Sequence, residues 1–507
     1  MLTDDKSPAS WRPAGYDALI ARFGLEVIPN CHQSRVLLRG PHRVVNHPDR
    51  VEEFFPASYW PGEAVLEHLE FALKYDGTNP ALLTRIFRNV DEPEILAWLR
   101  AKPTGIYARR LWYWYEALTG RALPIPDLKQ GNYIPLLDPE KYYTCRPGLR
   151  IRRQRVEDNL PGTARFCPLV RRTPKLAAYE AADLSGRCRR VAAAYPAELL
   201  KRATAYLYTK ETRSSFELER LTLSANRVER FVALLELACR DDFCEKDRLI
   251  ELQNRIVDPR FAEEQVRRTQ NYVGETVNWN RERIHYVPPA PGELPDLLAG
   301  WIAAHRRLQD SEISPVIHAA VVAWGFVFLH PFEDGNGRIH RFLIHNILAR
   351  RGFTPQDLMF PVSAVLLREP TEYDASLEAF SRPLMRLIEY RLDELGRMTV
   401  LADAADWYRF IDMTPQAEAL FGFVERTIDH ELVSELSFLS SYEAARAGIR
   451  ELVDLPDRLL DLFIRFCLQN QGRLSAAKRA SHFAFLTDDE LVSLERAVAS
   501  TMSPAER

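Results

Sequence analysis

Twelve consecutive residues of this chain, from His330 to Arg341, combine side-chain types that could carry out chemistry on phosphate groups. A histidine such as His330 ordinarily titrates near neutral pH and can accept a proton, and Asp334 offers hard oxygen atoms that suit a magnesium ion. Arg338 and Arg341 are three residues apart, so they lie on one face of a helix and can reach the same phosphates. A base, a metal ligand and two cations in one short segment indicate phosphate-transfer chemistry.

Between the base and the arginines, Gly335, Asn336 and Gly337 are predicted to form a tight turn. Glycine permits unusual backbone angles, so consecutive backbone N–H groups can face one point. Asn336 can cap the helix that follows, and the N-terminus of a helix attracts anions. The turn is therefore predicted to be an anion-binding nest.

Apolar residues on both sides of this turn predict two buried helices that hold it in place. The stretch from Ser314 to Leu329 is strongly apolar, and apolar residues recur at helical spacing downstream until Arg350, before Gly352. A polar turn between two buried helices needs a functional reason, and binding of phosphate supplies one.

The twelve residues match the pattern HxFx(D/E)GNGRxxR at every defined position, and on this motif the chain resembles the Fic family. The resemblance implies a helical fold that transfers the AMP part of ATP to a protein hydroxyl, with ATP as substrate and Mg²⁺ as cofactor. It implies that His330 deprotonates the acceptor Ser, Thr or Tyr, and that Asp334 holds magnesium between the phosphates. The other motif residues would form the anion nest (Gly335, Asn336, Gly337), the phosphate clamp (Arg338, Arg341) and a core anchor (Phe332).

A second segment, upstream of the motif, resembles the inhibitory helix (S/T)xxxE(G/N) of many Fic proteins. Ser215 and Glu219 supply its Ser and Glu, four residues apart on one face of a predicted helix. Arg220 stands where Gly or Asn is usual, so the match is partial. The resemblance implies that Glu219 pairs with Arg341 and leaves ATP bound unproductively.

Two more segments extend the resemblance. The stretch from Gln270 to Pro289 resembles the Fic flap, a hairpin that pairs with a target segment by strand addition. The expected docking residues of this flap are Gly274, His285 and Tyr286. Tyr373 matches one aromatic residue of a segment that often forms an adenine wall. Asp374 replaces the second aromatic, which leaves the preferred base open.

Composition sets the general class of the protein. The 507 residues are enough for two or three domains, and the 46% hydrophobic and 27% charged residues are typical of a globular protein. A net charge of -3 opposes a general affinity for nucleic acid or membrane surfaces. The seven scattered cysteines predict reduced thiols without a zinc site, although Cys239 and Cys244 are close together. A polar, acidic start and the lack of a long uncharged apolar run predict a cytoplasmic protein with no membrane partner.

These patterns together predict a mainly α fold, with a Fic-type helical core, a β-hairpin flap, a mixed N-terminal domain and a helical C-terminal domain. The predicted divisions are an N-terminal domain (1–125), a proline-rich connector laid over a neighbouring surface (126–190), the core with an inhibitory helix near 205–225 (191–399) and the C-terminal domain (400–507). Within the last, Gly448 and Gly472 are predicted to break the helices.

The leading functional hypothesis is a self-restrained protein adenylyltransferase, which is a nucleotidyltransferase. Within the same fold, other enzymes would remove AMP or transfer UMP, phosphocholine or a terminal phosphate. His330 and Asp334 do not separate these reactions, because the outcome depends on which phosphate lies next to the acceptor hydroxyl. A regulatory protein that only senses ATP is the alternative from another class, and an intact base argues against it. A target protein docking at the flap is the expected partner, while self-modification and a homodimer stay open.

Overall fold

The computed structural model describes residues 11–219, 225–238, 240–278, 281–355 and 358–501. Helices account for most of the regular structure in these ranges, which confirms the predicted mainly α class. Within the described ranges, no helix is both long enough and apolar enough to cross a bilayer.

The helices of the described ranges are α1 (Tyr16–Phe23), α2 (Val65–Lys74), α3 (Pro80–Phe87), α4 (Glu92–Ala101), α5 (Ile106–Thr119), α6 (Pro174–Ala181), α7 (Leu184–Ala193), α8 (Ala197–Glu217), α9 (Ala225–Leu237), α10 (Lys246–Ile256), α11 (Leu294–Gln309), α12 (Pro315–Leu329), α13 (Asn336–Arg350), α14 (Val362–Arg368), α15 (Pro370–Met385), α16 (Ala405–Arg409), α17 (Thr414–Arg426), α18 (Val433–Leu452), α19 (Asp457–Leu468), α20 (Ala476–His482) and α21 (Asp488–Thr501). The strands are β1 (Trp11–Pro13), β2 (His32–Leu37), β3 (Arg43–Asn46), β4 (Val51–Phe55), β5 (Ile134–Pro135), β6 (Leu149–Ile151), β7 (Val156–Asp158), β8 (Val273–Asn278), β9 (Arg281–Tyr286), β10 (Tyr390–Leu392) and β11 (Met398–Val400). Short 3-10 turns occur at Ala57–Tyr59 and Pro259–Phe261, and a π-helical turn at Thr427–Leu432.

The chain forms two compact units, each made of several segments. The first unit comprises Met1–Ala178, Asp241–Arg351 and Thr371–Leu420, and the second comprises Tyr179–Arg240, Gly352–Pro370 and Phe421–Arg507. The four-part division drawn from the sequence remains a prediction.

The first unit begins with a small mixed sheet, as the short apolar runs of the first 60 residues suggest. The strand order is β1-β2-β4-β3, with β2 and β4 parallel and the other pairs antiparallel. Helix α1 packs against β1 and β2, while α2, α3 and α5 pack against α1 or against one another. Val36, Phe55 and Phe71 form part of a core shared by the sheet and α2.

The proline-rich segment that follows is irregular, as its composition predicts, but it does not simply lie over a surface. It contains only the short strands β5, β6 and β7 before α6, in the order β5-β7-β6. Its apolar residues Leu136, Leu137, Val156 and Phe166 are buried. These side chains give an irregular backbone a hydrophobic core within the first unit.

The centre of the first unit is α12, which packs between α11 and α13. The side-chain oxygen of Ser314 accepts a hydrogen bond from the backbone N–H of Val316, and Pro315 occupies the first helical position, where no N–H is needed. Nearly every residue of α12 is buried, so the helix has no polar face and fits only the middle of a helical layer.

The second unit contains α8, which packs against α9, α14 and α18. The π-helical turn leads into α18 and carries Glu431, whose side chain is 0% exposed. Its Oε2 lies 2.7 Å from Lys210 Nζ on α8, and its Oε1 lies 2.5 Å from Arg368 Nη2 on α14. A buried carboxylate is costly unless paired, and here two cations pair it.

The last helices of the second unit share a separate core that includes Ile449, Leu460, Phe463 and Leu494. Gly472 lies between α19 and α20, where the sequence predicts a break. The predicted break at Gly448 is wrong, because α18 continues to Leu452. At Gly448 α18 packs against α21, where a Cβ would already be 3.7 Å from the Cβ of Ala497.

Candidate active site

His330 lies at the C-terminal end of α12, in the left-handed backbone conformation (φ 49°, ψ 57°). Its Nδ1 is 3.2 Å from the carbonyl oxygen of Val327. A carbonyl can only accept, so Nδ1 carries the proton and Nε2 keeps its lone pair. Burial, opposed by the bond to Val327, lowers the pKa of His330 to about 4, so the ring is neutral at pH 7. The geometry therefore presents Nε2 as an available base.

The turn after His330 ends at Gly335, which caps α13 with φ 92°. A Cβ there would lie 2.9 Å from Cγ1 of Val257, so both the backbone angle and the space require glycine. Asn336 is the first helical residue and does not cap the helix, contrary to the prediction. Its side chain bonds to the backbone N–H and carbonyl of Phe332 and braces the turn. The first-turn N–H groups of α13, including that of half-buried Gly337, have no partner within the helix.

Asp334 stands at the mouth of the turn with its side chain 47% exposed. Its Oδ1 accepts bonds from the backbone N–H of Gly335 (2.6 Å) and from Nη2 of Arg338 (2.7 Å). Both of these bonds go to Oδ1, so Oδ2 can meet a magnesium ion. A single half-exposed carboxylate fits an ion that the phosphates help to hold.

The two arginines predicted to clamp phosphate are both buried in α13. The side chain of Arg338 is 2% exposed, and its Nη1 donates to the carbonyl of Ile256 at 3.2 Å. Arg341 is also buried. Contact of either with phosphate stays a prediction. Phe332 is buried with its ring 6.3 Å from that of Phe326, which agrees with an anchoring role.

A stretch of the first unit holds the backbone of the turn, and the sequence singled out only its last two residues, which begin the predicted flap. We call residues 253–271 the supporting segment. Gln253 Nε2 donates to the carbonyl of Asp334, and Asn271 Nδ2 donates to the carbonyl of Phe332 at 3.0 Å. Oε1 of Glu263 accepts from the backbone N–H of Glu333 at 2.9 Å. These partners lie 61 to 81 residues apart in the chain, so no local pattern could have indicated them.

The flap predicted between Gln270 and Pro289 is a hairpin of antiparallel β8 and β9, followed by α11. Gly274 lies at a register shift opposite Ile284, where a Cβ would be 2.7 Å from the carbonyl oxygen of Arg283. His285 is exposed, with Nε2 3.6 Å from Oε1 of Glu275. Gly274 and His285 are exposed, and their contact with a docked segment stays a prediction.

Tyr286 was predicted to face a docked target, and the structure contradicts this. The residue is buried, and its hydroxyl donates to the carbonyl of Phe328 on α12 at 2.5 Å. Its ring also packs against those of Phe328 and Phe380. Tyr286 therefore anchors the base of the flap on the central helix.

Tyr373 lies on α15 in an aromatic cluster with residues of α12 and α13. Its ring is stacked on His340 at 6.0 Å and meets Trp324 edge-on at 6.5 Å. The residue is buried, whereas the neighbouring Asp374 is exposed. Contact between Tyr373 and a nucleotide base stays a prediction.

His318, His340 and His345 are buried, as expected of core histidines. His340 is 0% exposed, and its burial lowers its pKa to about 3. An unfolded histidine has a pKa of about 6.5, so the unfolded chain binds an extra proton below that pH. The stability that neutral His340 contributes is complete above pH 6.5 and is lost as the pH falls towards 3.

We therefore expect His340→Gln to flatten the pH dependence of stability. In the wild type, burial of neutral His340 should lower the unfolding free energy by about 1.4 kcal/mol for each pH unit below 6.5, which amounts to about 2 kcal/mol at pH 5. Urea titrations at pH 6.5 and at pH 5 would measure the difference in unfolding free energy. The exposed residue His482 provides the control as His482→Gln, which should keep the wild-type slope. Equal slopes in the wild type and His340→Gln would contradict the assignment.

The proposed inhibitory residues belong to the second unit. Ser215 is buried in α8, and the next residue, Phe216, meets Phe231 edge-on at 5.5 Å. Helix α8 ends at Glu217, so Glu219 lies in the turn beyond it, with its N–H bonded to the carbonyl of Phe216. The prediction that Ser215 and Glu219 share a helix face is wrong for this reason. Arg220 lies outside the described residues, and the Glu219–Arg341 pair stays a prediction.

Six of the seven cysteines lie among the described residues, and all six are free thiols. The seventh, Cys239, lies outside them. The fold brings His305 near Asp242 and Cys244, which are themselves close in sequence. Together they form a cluster of three groups with metal-binding chemistry.

The hydrogen-bond directions at this cluster oppose a metal ion. Arg351 can only donate to Nδ1 of His318, so Nε2 of His318 donates to Nδ1 of His305. His305 must then carry its proton on Nε2 and donate to Asp242 at 3.1 Å. To bind a metal, Nε2 of His305 would have to lose that proton, and Nδ1 of His305 would carry it instead. Two hydrogen-bond donors would then face each other, either between His305 and His318 or between His318 and Arg351.

Comparison with known proteins agrees with the motif. The model of the Fic/DOC family matches residues 243–348. A relative named Protein adenylyltransferase Fic from Culex quinquefasciatus is 37% identical over 125 residues, which is 24% of this chain and 22% of the relative. A relative of the same name from Drosophila grimshawi is 35% identical over 127 residues, 24% of this chain and 23% of the relative.

Among solved structures, a Fic family protein from Desulfovibrio desulfuricans G20 is 17% identical, with a TM-score of 0.37 over 64% of this chain and 84% of that chain. The chain spans about a fifth of the length of the two curated relatives, 22% and 23%, so the similarity concerns only part of each protein. The residues that the family model matches contain His330, the turn after it, the supporting segment and the flap. Residues 243–348 of this chain are therefore similar to the Fic/DOC family, and the similarity is shown for that part of the chain.

Proposed function

We propose that this protein is an adenylyltransferase that transfers AMP from ATP to a Ser, Thr or Tyr hydroxyl of a target protein. The observation that carries the proposal is His330, held with Nε2 unprotonated in the turn that leads into α13. A protein that only bound ATP would have no use for such a base. The names of the relatives, which describe protein adenylyltransferases, support the same reaction.

In the proposed reaction, Nε2 of His330 takes the proton of the acceptor hydroxyl. The hydroxyl oxygen then bonds to the α-phosphorus of ATP, and the bond to the bridging oxygen breaks, releasing pyrophosphate. The first-turn N–H groups of α13 bind phosphate oxygens and stabilise the charge that develops on them. Arg341 and Arg338 contribute positive charge from within the same helix.

Asp334 is the residue that would hold Mg²⁺, which would neutralise phosphate charge when bound. Its carboxylate also receives a bond from Arg338, and this orients it towards the turn. A lone carboxylate gives a site that is incomplete until the phosphates add their oxygens.

We expect the nucleotide-free protein to bind Mg²⁺ weakly, and a non-hydrolysable ATP analogue to increase the affinity. Calorimetric titration with and without the analogue would measure this. Asp334→Asn should remove the increase, because it removes the ligand charge. Asp393→Asn is a suitable control, since Asp393 pairs with Arg397 in the turn between β10 and β11. Tight binding of magnesium without nucleotide would contradict the proposed site.

Intact-mass spectrometry after incubation with ATP and magnesium tests the function itself. An AMP adduct on the protein or on a protein of a cell lysate supports the proposal. A phosphate adduct would assign the phosphotransferase alternative, and parallel incubations with UTP and CDP-choline would detect UMP or phosphocholine transfer. Loss of AMP from a pre-modified protein would assign the reverse reaction. Binding of ATP without any adduct would support the alternative of a regulatory protein that only senses ATP.

The proposal includes a target segment that pairs with the flap beside Gly274 and His285, with self-modification as the simplest case. The free thiols fit the reducing conditions of the cytoplasm, where we place the protein. A homodimer is a further part of the proposal, and size-exclusion chromatography with light scattering would test it.

A further inference from the structure

Arg267 is a buried arginine whose guanidinium, among the residues that the structure describes, bonds to backbone carbonyls alone. The residue is 3% exposed. Its Nε donates to the carbonyl of His330 (2.8 Å), its Nη1 to that of Thr269 (3.0 Å) and its Nη2 to that of Pro289 (2.6 Å). In addition, its backbone N–H donates to the carbonyl of Pro331 at 2.8 Å.

A buried charge without an acidic partner is unusual. Among the described residues, no carboxylate forms an ion pair with Arg267. Burial lowers the pKa of its guanidinium to about 10, and the more distant charge of Glu333 opposes this shift. The group is still charged at neutral pH. Burying a charge costs several kcal/mol unless its bonds are well made, and three carbonyl dipoles are a weaker compensation than a carboxylate. Stability alone is therefore a poor explanation for this residue.

The positions of the three carbonyls suggest a different role. Thr269 comes directly before the flap and Pro289 is its last residue, so the two carbonyls lie at the two ends of the hairpin. His330 is the base. One planar guanidinium therefore joins both ends of the flap to the catalytic backbone, and its donors point in three fixed directions, which an ammonium group cannot reproduce.

The bond to His330 bears directly on the geometry of the base. His330 is held in a left-handed conformation that a residue with a Cβ rarely adopts, so its peptide planes need external support. Arg267 holds its carbonyl, and Val327 holds its ring. A rotation of the 330–331 peptide would turn the ring and displace Nε2 from a bound hydroxyl.

We propose that Arg267 is a positioning residue that couples the flap to His330, so that a segment docked on the flap and the base keep one relative geometry. The proposal rests on the proposed function for the reaction it serves. The coupling itself is a property of the backbone bonds and can be measured without any transfer activity.

The test compares Arg267→Lys and Arg267→Met with the same two changes at Arg268. Arg268 is adjacent and exposed, and its Nη2 donates to Gln265. Two measurements are made on the full-length protein. The first is site-resolved modification of His330 by diethyl pyrocarbonate as a function of pH, and the second is hydrogen exchange of β8 and β9.

We expect both changes at Arg267 to speed exchange at the ends of the flap and to alter the modification rate of His330. Only Arg267→Met removes the nearby positive charge, so only this variant should shift the pH profile of His330 upwards. In transfer assays, Arg267→Lys should lower kcat on the order of tenfold to a hundredfold with unchanged binding of ATP, because misplaced groups lose rate and not affinity. The variants at Arg268 should change none of these quantities.

If Arg267→Lys showed the wild-type rates of hydrogen exchange in the flap and of His330 modification, the coupling would be overturned. This outcome would decide the matter even if Arg267→Met failed to fold. A uniform loss of stability, with the flap and the rest of the first unit affected equally, would also overturn it and leave a structural role. If the wild type showed no transfer at all, the proposed function would fail, while the exchange and modification results would still decide the coupling.

Discussion

Replacing His330 by alanine should lower the rate of AMP transfer by about two to four orders of magnitude, the usual contribution of a general base. The change removes Nε2 and leaves the first turn of α13, Asp334 and the two arginines in place. Binding of ATP should therefore be unchanged in calorimetric titrations, and only the adduct seen by mass spectrometry should disappear. Transfer near the wild-type rate would disprove the role of His330.

The left-handed conformation of His330 calls for a second variant with less effect on the backbone. Asparagine tolerates this conformation better than most residues, and its amide can still donate to the carbonyl of Val327. His330→Asn should be as inactive as the alanine variant, because an amide cannot take up the proton. His482→Ala, at an exposed histidine of the second unit, controls for general effects of losing an imidazole.

Replacing Glu219 by glycine should increase self-modification if this residue restrains the site. Coupling between an inhibitory group and a site is typically worth about 1 to 3 kcal/mol, which corresponds to an increase of roughly 5- to 150-fold. The reason is that Glu219 paired with Arg341 would occupy the place of the terminal phosphate. The measurement is the rate of adduct formation with ATP and magnesium.

Two further variants make this result specific. His330→Ala combined with Glu219→Gly should cancel the increase, since the gain must pass through the same base. Glu198→Gly, at the exposed carboxylate that pairs with Lys201 near the start of α8, should leave the rate unchanged. An unchanged rate in Glu219→Gly would show that the turn after α8 does not restrain the enzyme, whether or not the transfer reaction exists.

The motif and its two helices could be read from the sequence because the information is local. Glycines at a turn and apolar residues at helical spacing act within a few residues of each other, and both α12 and α13 form where they are predicted. The hairpin was predictable for the same reason. The burial of the Tyr286 side chain was not predictable, because it depends on a hydrogen bond to the carbonyl of Phe328 in another element.

The missed residues have partners far along the chain. Arg267, Glu263 and Gln253 look like ordinary surface residues in the sequence, and only the fold brings them to the motif turn. The predicted helix break at Gly448 is wrong for a related reason. Its conformational freedom favours a break, but packing between α18 and α21 outweighs the small intrinsic cost of a helical glycine.

The π-helical turn at Thr427–Leu432 constrains how the gene can vary in length. Such a turn holds one residue more than the α-helical turn it replaces, so deleting a single codon there would restore α geometry. Every later side chain of α18 would then rotate by about 100° relative to the helix before it. Glu431 would leave Lys210 and Arg368, and two cations would lose their buried counter-ion. Insertions and deletions should therefore accumulate in the turn around Gly472 and be purged from this helix.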